Sequence, residues 1–356
     1  MRIVNLFFCL LLSLTITFGA AAIPNQNVVR VDCNAGGKVQ AAVDANSAPL
    51  DIVISGICAE NVLIRDKDVN LRGSSGDPTL DGIRGRLSTA PALTVRGSVI
   101  ATIRSLSFSN SAGQAVSILS GANETLTSCR FENNAGIPLQ VTSDALVTAD
   151  SLTFNANTGR SIAVSGAQFF CTACDVSGNG FALVATRGAI ASLLDTVVTG
   201  GRGILATDGG TSADIDCASV STSHPCMINV SGVAAQAANG ARATLLDVGD
   251  FTGQLLAEDG GTVSLIGARQ TSGATNDADF FGRIVAEANV DVNPPTQSSL
   301  RDTNAAHFAR VLVTDGTVIQ GAIQCTTAAD AVLDGTVIVA QGATITGCAH
   351  APTPLP

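Results

Sequence analysis

The sequence predicts an all-β, single-stranded parallel β-helix solenoid with a short capping helix at its N-terminal end. The first observation is a repeat: "SLSFSN" (105–110), "SCRFEN" (128–133) and "SLTFNA" (151–156) place Phe108, Phe131 and Phe154 at intervals of 23 residues. Val176 and Val198 follow at 22, and a second column runs through Val116, Leu139, Ile162, Leu183 and Ile204. The second observation is that each unit holds two or three short alternating stretches broken by Gly, Asn or Ser, without helical periodicity. The third is composition: 13% charged residues, 36 Gly and neither Trp nor Tyr, which suits many short stacked strands and tight corners. At about 22 residues per turn, residues 50–348 make roughly 13 coils, or about 60 Å of solenoid at the ordinary strand spacing.

Taken in chain order, residues 1–22 read as an export signal. Arg2 supplies a basic start, residues 3–18 an apolar core and Ala20, Ala21 and Ala22 a small-residue cleavage site. The β-helix domain is expected over 23–349. Residues 37–49, "GKVQAAVDANSAP", carry the apolar spacing of a short helix just before the first strand "LDIVISG", where a lid is needed over the open end of the stack. Asn110, Asn133 and Asn157 follow their phenylalanines by two or three residues and are expected at corners, bonding along the stack. The repeat falters over 268–310, which is expected to be an irregular excursion, and 350–356 is a Pro-rich tail. No segment after residue 22 is long and apolar enough to span a bilayer. A net charge of −10 without a basic patch argues against nucleic acid.

The cysteines divide by register. Leu106, Cys129, Leu152 and Cys174 share one inward column, two residues before the phenylalanine position of each coil. Cys171 joins a neighbouring apolar column with Ile103, Leu126 and Ala149. Cys129, Cys171 and Cys174 are therefore expected as buried core residues, in preference to a local disulfide across the C-x-x-C or to a functional pair. Zinc would need further ligands, and none are near in sequence; no metal is expected. Three disulfides are expected: Cys33 with Cys58 and Cys325 with Cys348, each about one coil apart, and Cys217 with Cys226 around a small loop.

Residues 29–82, with the order lid helix, strand, "GICAENVLI" and "VNLRG", resemble the start of right-handed parallel β-helix proteins of the pectate-lyase-like superfold, chiefly pectin methylesterases and exported β-helix proteins of unassigned function. "FENN" (131–134) and "FNAN" (154–157) are similar to the F-x-x-N repeats of outer-membrane adhesins. The resemblance implies a right-handed coil and two function classes. One is a surface or extracellular interaction protein, binding polysaccharide or a partner cell surface. The other is an enzyme on acidic polysaccharide, a lyase or esterase, with Ca²⁺ as cofactor only for a lyase. A structural envelope component is a third reading. The paired-Asp and Gly-His-Gly signatures of polygalacturonases and the Arg-rich motifs of pectate lyases are absent, and "DFFG" (279–282) alone is similar to a pectin methylesterase motif. With no Trp or Tyr, aromatic platforms for sugars are expected to be scarce.

Two polar groupings qualify as candidate sites. Arg130 and Glu132 flank inward Phe131, with Thr153, Asn155 and Asp175 on later coils of the same strand position, as a candidate binding face. An ordinary solvated sheet face is the favoured alternative. Residues 276–310 concentrate charge, and Asp279, Arg283, His307 and Arg310 are the catalytic candidates, accompanied by Asp277, Arg301 and Asp302. A plain surface loop is the alternative there. His224 is expected to be exposed, and Asn123 and Asn229 fit the N-glycosylation pattern.

Overall fold

The computed structural model describes residues 27–349 except 87–89, 110–111, 218–225, 274, 289–295, 315 and 335–336. The expected export signal, the tail, Asn110 and His224 lie outside the described residues. The chain winds as a right-handed parallel solenoid of about 13 turns. Each turn contributes to three parallel sheets. In one turn these are Ile100–Arg104 (sheet 1), Ser107–Ser109 (sheet 2) and Val116–Leu119 (sheet 3). Asn123–Thr127 then begins the next turn directly on Ile100–Arg104. Later strands such as Asp175–Thr186 run through a corner and serve sheets 2 and 3 together.

Register follows the repeat. Phe131 pairs with Phe108 and Phe154 in sheet 2, and their rings stack inside the coil at 5.5 and 4.6 Å between centroids. Val116, Leu139, Ile162, Leu183 and Ile204 pair in succession in sheet 3. All of these are buried. Alternation of the flanking residues puts polar side chains outside, because successive strand side chains point to opposite faces.

Corners use left-handed backbone, each for a local reason. Between sheets 1 and 2 a single residue turns the chain: Ser105, Ser128, Ser151 and Ala173 have φ of 51 to 55°. Between sheets 2 and 3, Asn133 and Ala156 take that role, and the next residues form the ladder. Asn134 Nδ2 donates to Asn157 Oδ1 at 3.1 Å and to the Phe108 carbonyl, while Asn157 Nδ2 donates to the Phe131 carbonyl. The bonding partner of Asn157 is thus Asn134, not Asn133. Both ladder members stand three residues after their phenylalanine, and Asn133 is used up in making the turn.

The lid is the helix Val39–Ala45, shorter than the expected 37–49, and it buries Val39, Ala42 and Val43 on the first coil. Its N-cap residue Lys38 makes no side-chain cap bond. The Glu60 carboxylate, from the coil beneath, accepts the Val39 and Gln40 amides at 2.7 and 3.1 Å instead. At the other end Lys67 Nζ donates to the carbonyls of Val43 and Asn46. Both helix ends are therefore satisfied by the solenoid that the helix covers.

Four disulfides are present among the described residues: Cys33–Cys58, Cys171–Cys174, Cys217–Cys226 and Cys325–Cys348, with Cα separations of 5.0, 6.2, 5.6 and 4.7 Å. Cys171 and Cys174 are buried, yet they are bonded to each other and are not free core thiols. The left-handed turn at Ala173 closes the bend between their two inward columns. Cys129 is free and buried, and burial pushes its thiol up to about 12. Paired strands run through much of 268–310, at Asn276–Ala278, Arg283–Glu287, Ser299–Leu300 and Thr303–Ala305. Each pairs with a neighbouring coil, so the stretch expected as an irregular excursion continues the solenoid; 289–295 lies outside the described residues.

Candidate functional site: an aromatic and arginine ledge on the C-terminal coils

On many coils the corner from sheet 3 to sheet 1 is made by two consecutive residues with positive φ. Asn239–Gly240 and Asp259–Gly260 supply them with residue types suited to the left-handed region. On the next two coils the same corner is made by Phe280–Phe281, with φ of 43 and 64°, and by His307–Phe308, with φ of 48 and 62°. Each such aromatic position costs about 1 kcal/mol or more relative to glycine. The corner also holds their rings outside the coil: Phe280, Phe281 and Phe308 are 51%, 62% and 58% exposed.

These rings form two stacks. Phe281 lies over Phe308 at 5.4 Å and 10°, and Phe280 over the His307 imidazole at 4.6 Å and 3°. His307 Nδ1 donates to Asp279 Oδ1 at 2.5 Å, and Asp279 also accepts the Phe280 amide. Immediately after the corner, Arg283 and Arg310 pair in register as the first residues of their sheet 1 strands, with Asp330 next in the column. Arg310 lies 3.9 Å from Asp330. Phe281, Phe308, Arg283, Arg310, Ala328 and Asp330 enclose much of a groove of about 390 Å³.

The structure therefore brings Asp279, His307, Arg283 and Arg310 to one corner of two successive coils. It separates the others. Arg301 donates to the Thr271 carbonyl and Asp302 accepts the Ala322 amide, both holding backbone. Asp277 sits on sheet 3 two residues before Asp279; partial burial, then the Asp279 charge, raise its carboxyl above the usual range. Phe281 and Phe308, which complete the groove, were not singled out by sequence. Their signal is the alignment of "DFFG" and "AHFA" with the Asn-Gly and Asp-Gly corners of the preceding coils.

The sheet 2 grouping is arranged differently. Arg130, Thr153 and Asp175 stack in one column, and Glu132 with Asn155 in another. Arg130 Nε donates to Glu132 at 2.8 Å within its own strand, and Ser177 Oγ donates to the Phe154 carbonyl and to Asn155 Oδ1. Its polar groups are largely engaged with one another. Asn123 is exposed at the start of its strand, while Asn229 accepts a hydrogen bond from Thr252 Oγ1. Among the described residues no group of three or more His, Cys, Asp or Glu is placed to hold a metal, and no helix is long and apolar enough to cross a membrane.

The family model described as "Right handed beta helix region" matches residues 55–242, more than half of the chain. This chain belongs to the right-handed β-helix family. Among solved structures it is similar in fold to pectate lyase Pel9A, at 8% identity over 88% of this chain and 79% of that one, with a TM-score of 0.42. It is also similar to the catalytic unit of a GH87 α-1,3-glucanase from Streptomyces thermodiastaticus, at 13% identity over 92% and 71%, TM-score 0.32. A third is the mannuronan C-5 epimerase AlgE4 A-module of Azotobacter vinelandii, at 12% identity over 87% and 95%, TM-score 0.28. At these identities such likenesses concern winding alone. No curated protein matches the sequence.

Proposed function

We propose that this is an exported β-helix interaction protein that holds an anionic polysaccharide chain on the ledge formed by Phe281, Phe308, Arg283 and Arg310. The observation that carries the reading is the corner itself. Two successive coils accept left-handed phenylalanine where the two coils before them use glycine, and the strained positions hold bare, parallel rings in water. Strain maintained at an exposed position points to use. Flat apolar faces suit the ring faces of sugars, and the adjacent guanidiniums suit carboxylates, which they bind with two parallel hydrogen bonds. Four disulfides fit an oxidising compartment. The test is affinity electrophoresis against polyuronates and neutral glucans. Retardation by polyuronate that is weakened in F281A/F308A supports the reading; equal retardation of both proteins refutes it.

An enzyme on acidic polysaccharide is the second reading, favoured by the Asp279–His307 pair. A carboxylate that holds Nδ1–H leaves Nε2 free to accept a proton, and arginine neutralises the sugar carboxylate in such chemistry. New unsaturated ends or released methanol from uronate polymers, with or without Ca²⁺, lost in H307A, would establish it. Binding without product keeps the interaction reading.

A further inference from the structure

A second groove lies over coils nearer the middle of the stack, on the sheet 3 side of the same corner. It measures about 690 Å³, within the range of small-molecule and oligomer sites. Its floor is the outer face of sheet 3, where Gln140, Ala163 and Val184 form one column and Thr142, Ser165 and Thr186 the next. Arg160 stands at one rim and Arg187 at the other, beside Asp208, whose carboxylate accepts the Arg187 backbone amide at 3.2 Å. Among the described residues neither arginine side chain has an ion pair. Arg160 lies six residues before Gly166, which stacks under Arg187, so the two rims are at most about 20 Å apart along the strand direction.

From this arrangement we infer a second binding site, for an elongated, hydroxyl-bearing anionic segment laid along the strand direction, its acidic groups reaching Arg160 and Arg187 and its hydroxyls the Thr142, Ser165 and Thr186 row between them. Resting on the reading of the C-terminal ledge, it makes the protein bivalent: two polymer segments are held about six coils or 30 Å apart along the stack. The groove has no aromatic lining, so its binding is electrostatic and weakens with salt more steeply than binding at the ledge.

Titration calorimetry with a tetrauronate probe tests this. The wild type is expected to bind two equivalents. R160A/R187A and F281A/F308A are each expected to bind one, with only the residual site of F281A/F308A lost at high salt. Long polyuronate is expected to gel or turn turbid with the wild type and with neither variant. A wild-type stoichiometry of one that R160A/R187A leaves unchanged overturns the second site and spares the ledge. A stoichiometry of one that F281A/F308A leaves unchanged sinks the ledge and, with it, bivalency. Equal binding of poly-aspartate overturns the assignment to a hydroxyl-bearing ligand. Matching circular dichroism spectra confirm that the variants fold.

Discussion

Glu124 offers a quantitative test of the winding. It occupies an inward position of sheet 1 between Ala101 and Val147, is fully buried, and neither carboxylate oxygen has a partner among the described residues. Burial pushes its carboxyl from 4.5 up to about 8. The folded protein therefore keeps a proton that the unfolded chain releases above pH 4.5. Stability is full below that value, falls by about 1.4 kcal/mol per pH unit up to about pH 8, and is flat beyond, a total of about 5 kcal/mol. Glu124→Gln preserves shape and removes the titration. Urea unfolding followed by far-UV circular dichroism, since the chain has no Trp or Tyr for fluorescence, is expected to give similar stabilities for both proteins near pH 4.5. At pH 8 the variant should exceed the wild type by several kcal/mol. A difference that stays constant between those pH values would refute the inward placement.

Asn157→Ala removes the acceptor shared by the Asn134 backbone and side-chain amides and leaves the Phe131 carbonyl short of a donor, and should cost about 2 to 3 kcal/mol in urea unfolding. Glu60→Ala removes the acceptor for two helix amides, and is expected to cost about 1 to 2 kcal/mol and to raise hydrogen exchange at Val39 and Gln40 first. F281G/F308G relieves two left-handed phenylalanines, so its Tm should hold or rise by a few degrees while polyuronate binding at the ledge is lost; a large fall in Tm would mean that the rings serve packing.

Much of the fold is legible because a solenoid repeats its constraints. The 23-residue interval of Phe108, Phe131 and Phe154 fixes register, register fixes which side chains face inward, and the column through Cys129 and Cys174 is buried as that logic requires. Register gives direction but not covalent state, which is why the Cys171–Cys174 bond was not evident from spacing. The interval lengthens to 27 between Arg283 and Arg310, with the Glu287 to Ser299 connection inside it, and this masks coils that still pair. The candidate cluster of Asp279, Arg283, His307 and Arg310 was legible as a concentration of charge. Its aromatic half was not: absence of Trp and Tyr argues against sugar platforms, and only the corner geometry shows that Phe281 and Phe308 are turned outward.

The most direct measurement is a crystal structure of the protein soaked with a short uronate oligomer. Sugar faces seated on Phe281 and Phe308, with a carboxylate on Arg283 or Arg310, are the predicted result. Oligomer bound elsewhere while those rings stay bare in the same crystal would contradict the account.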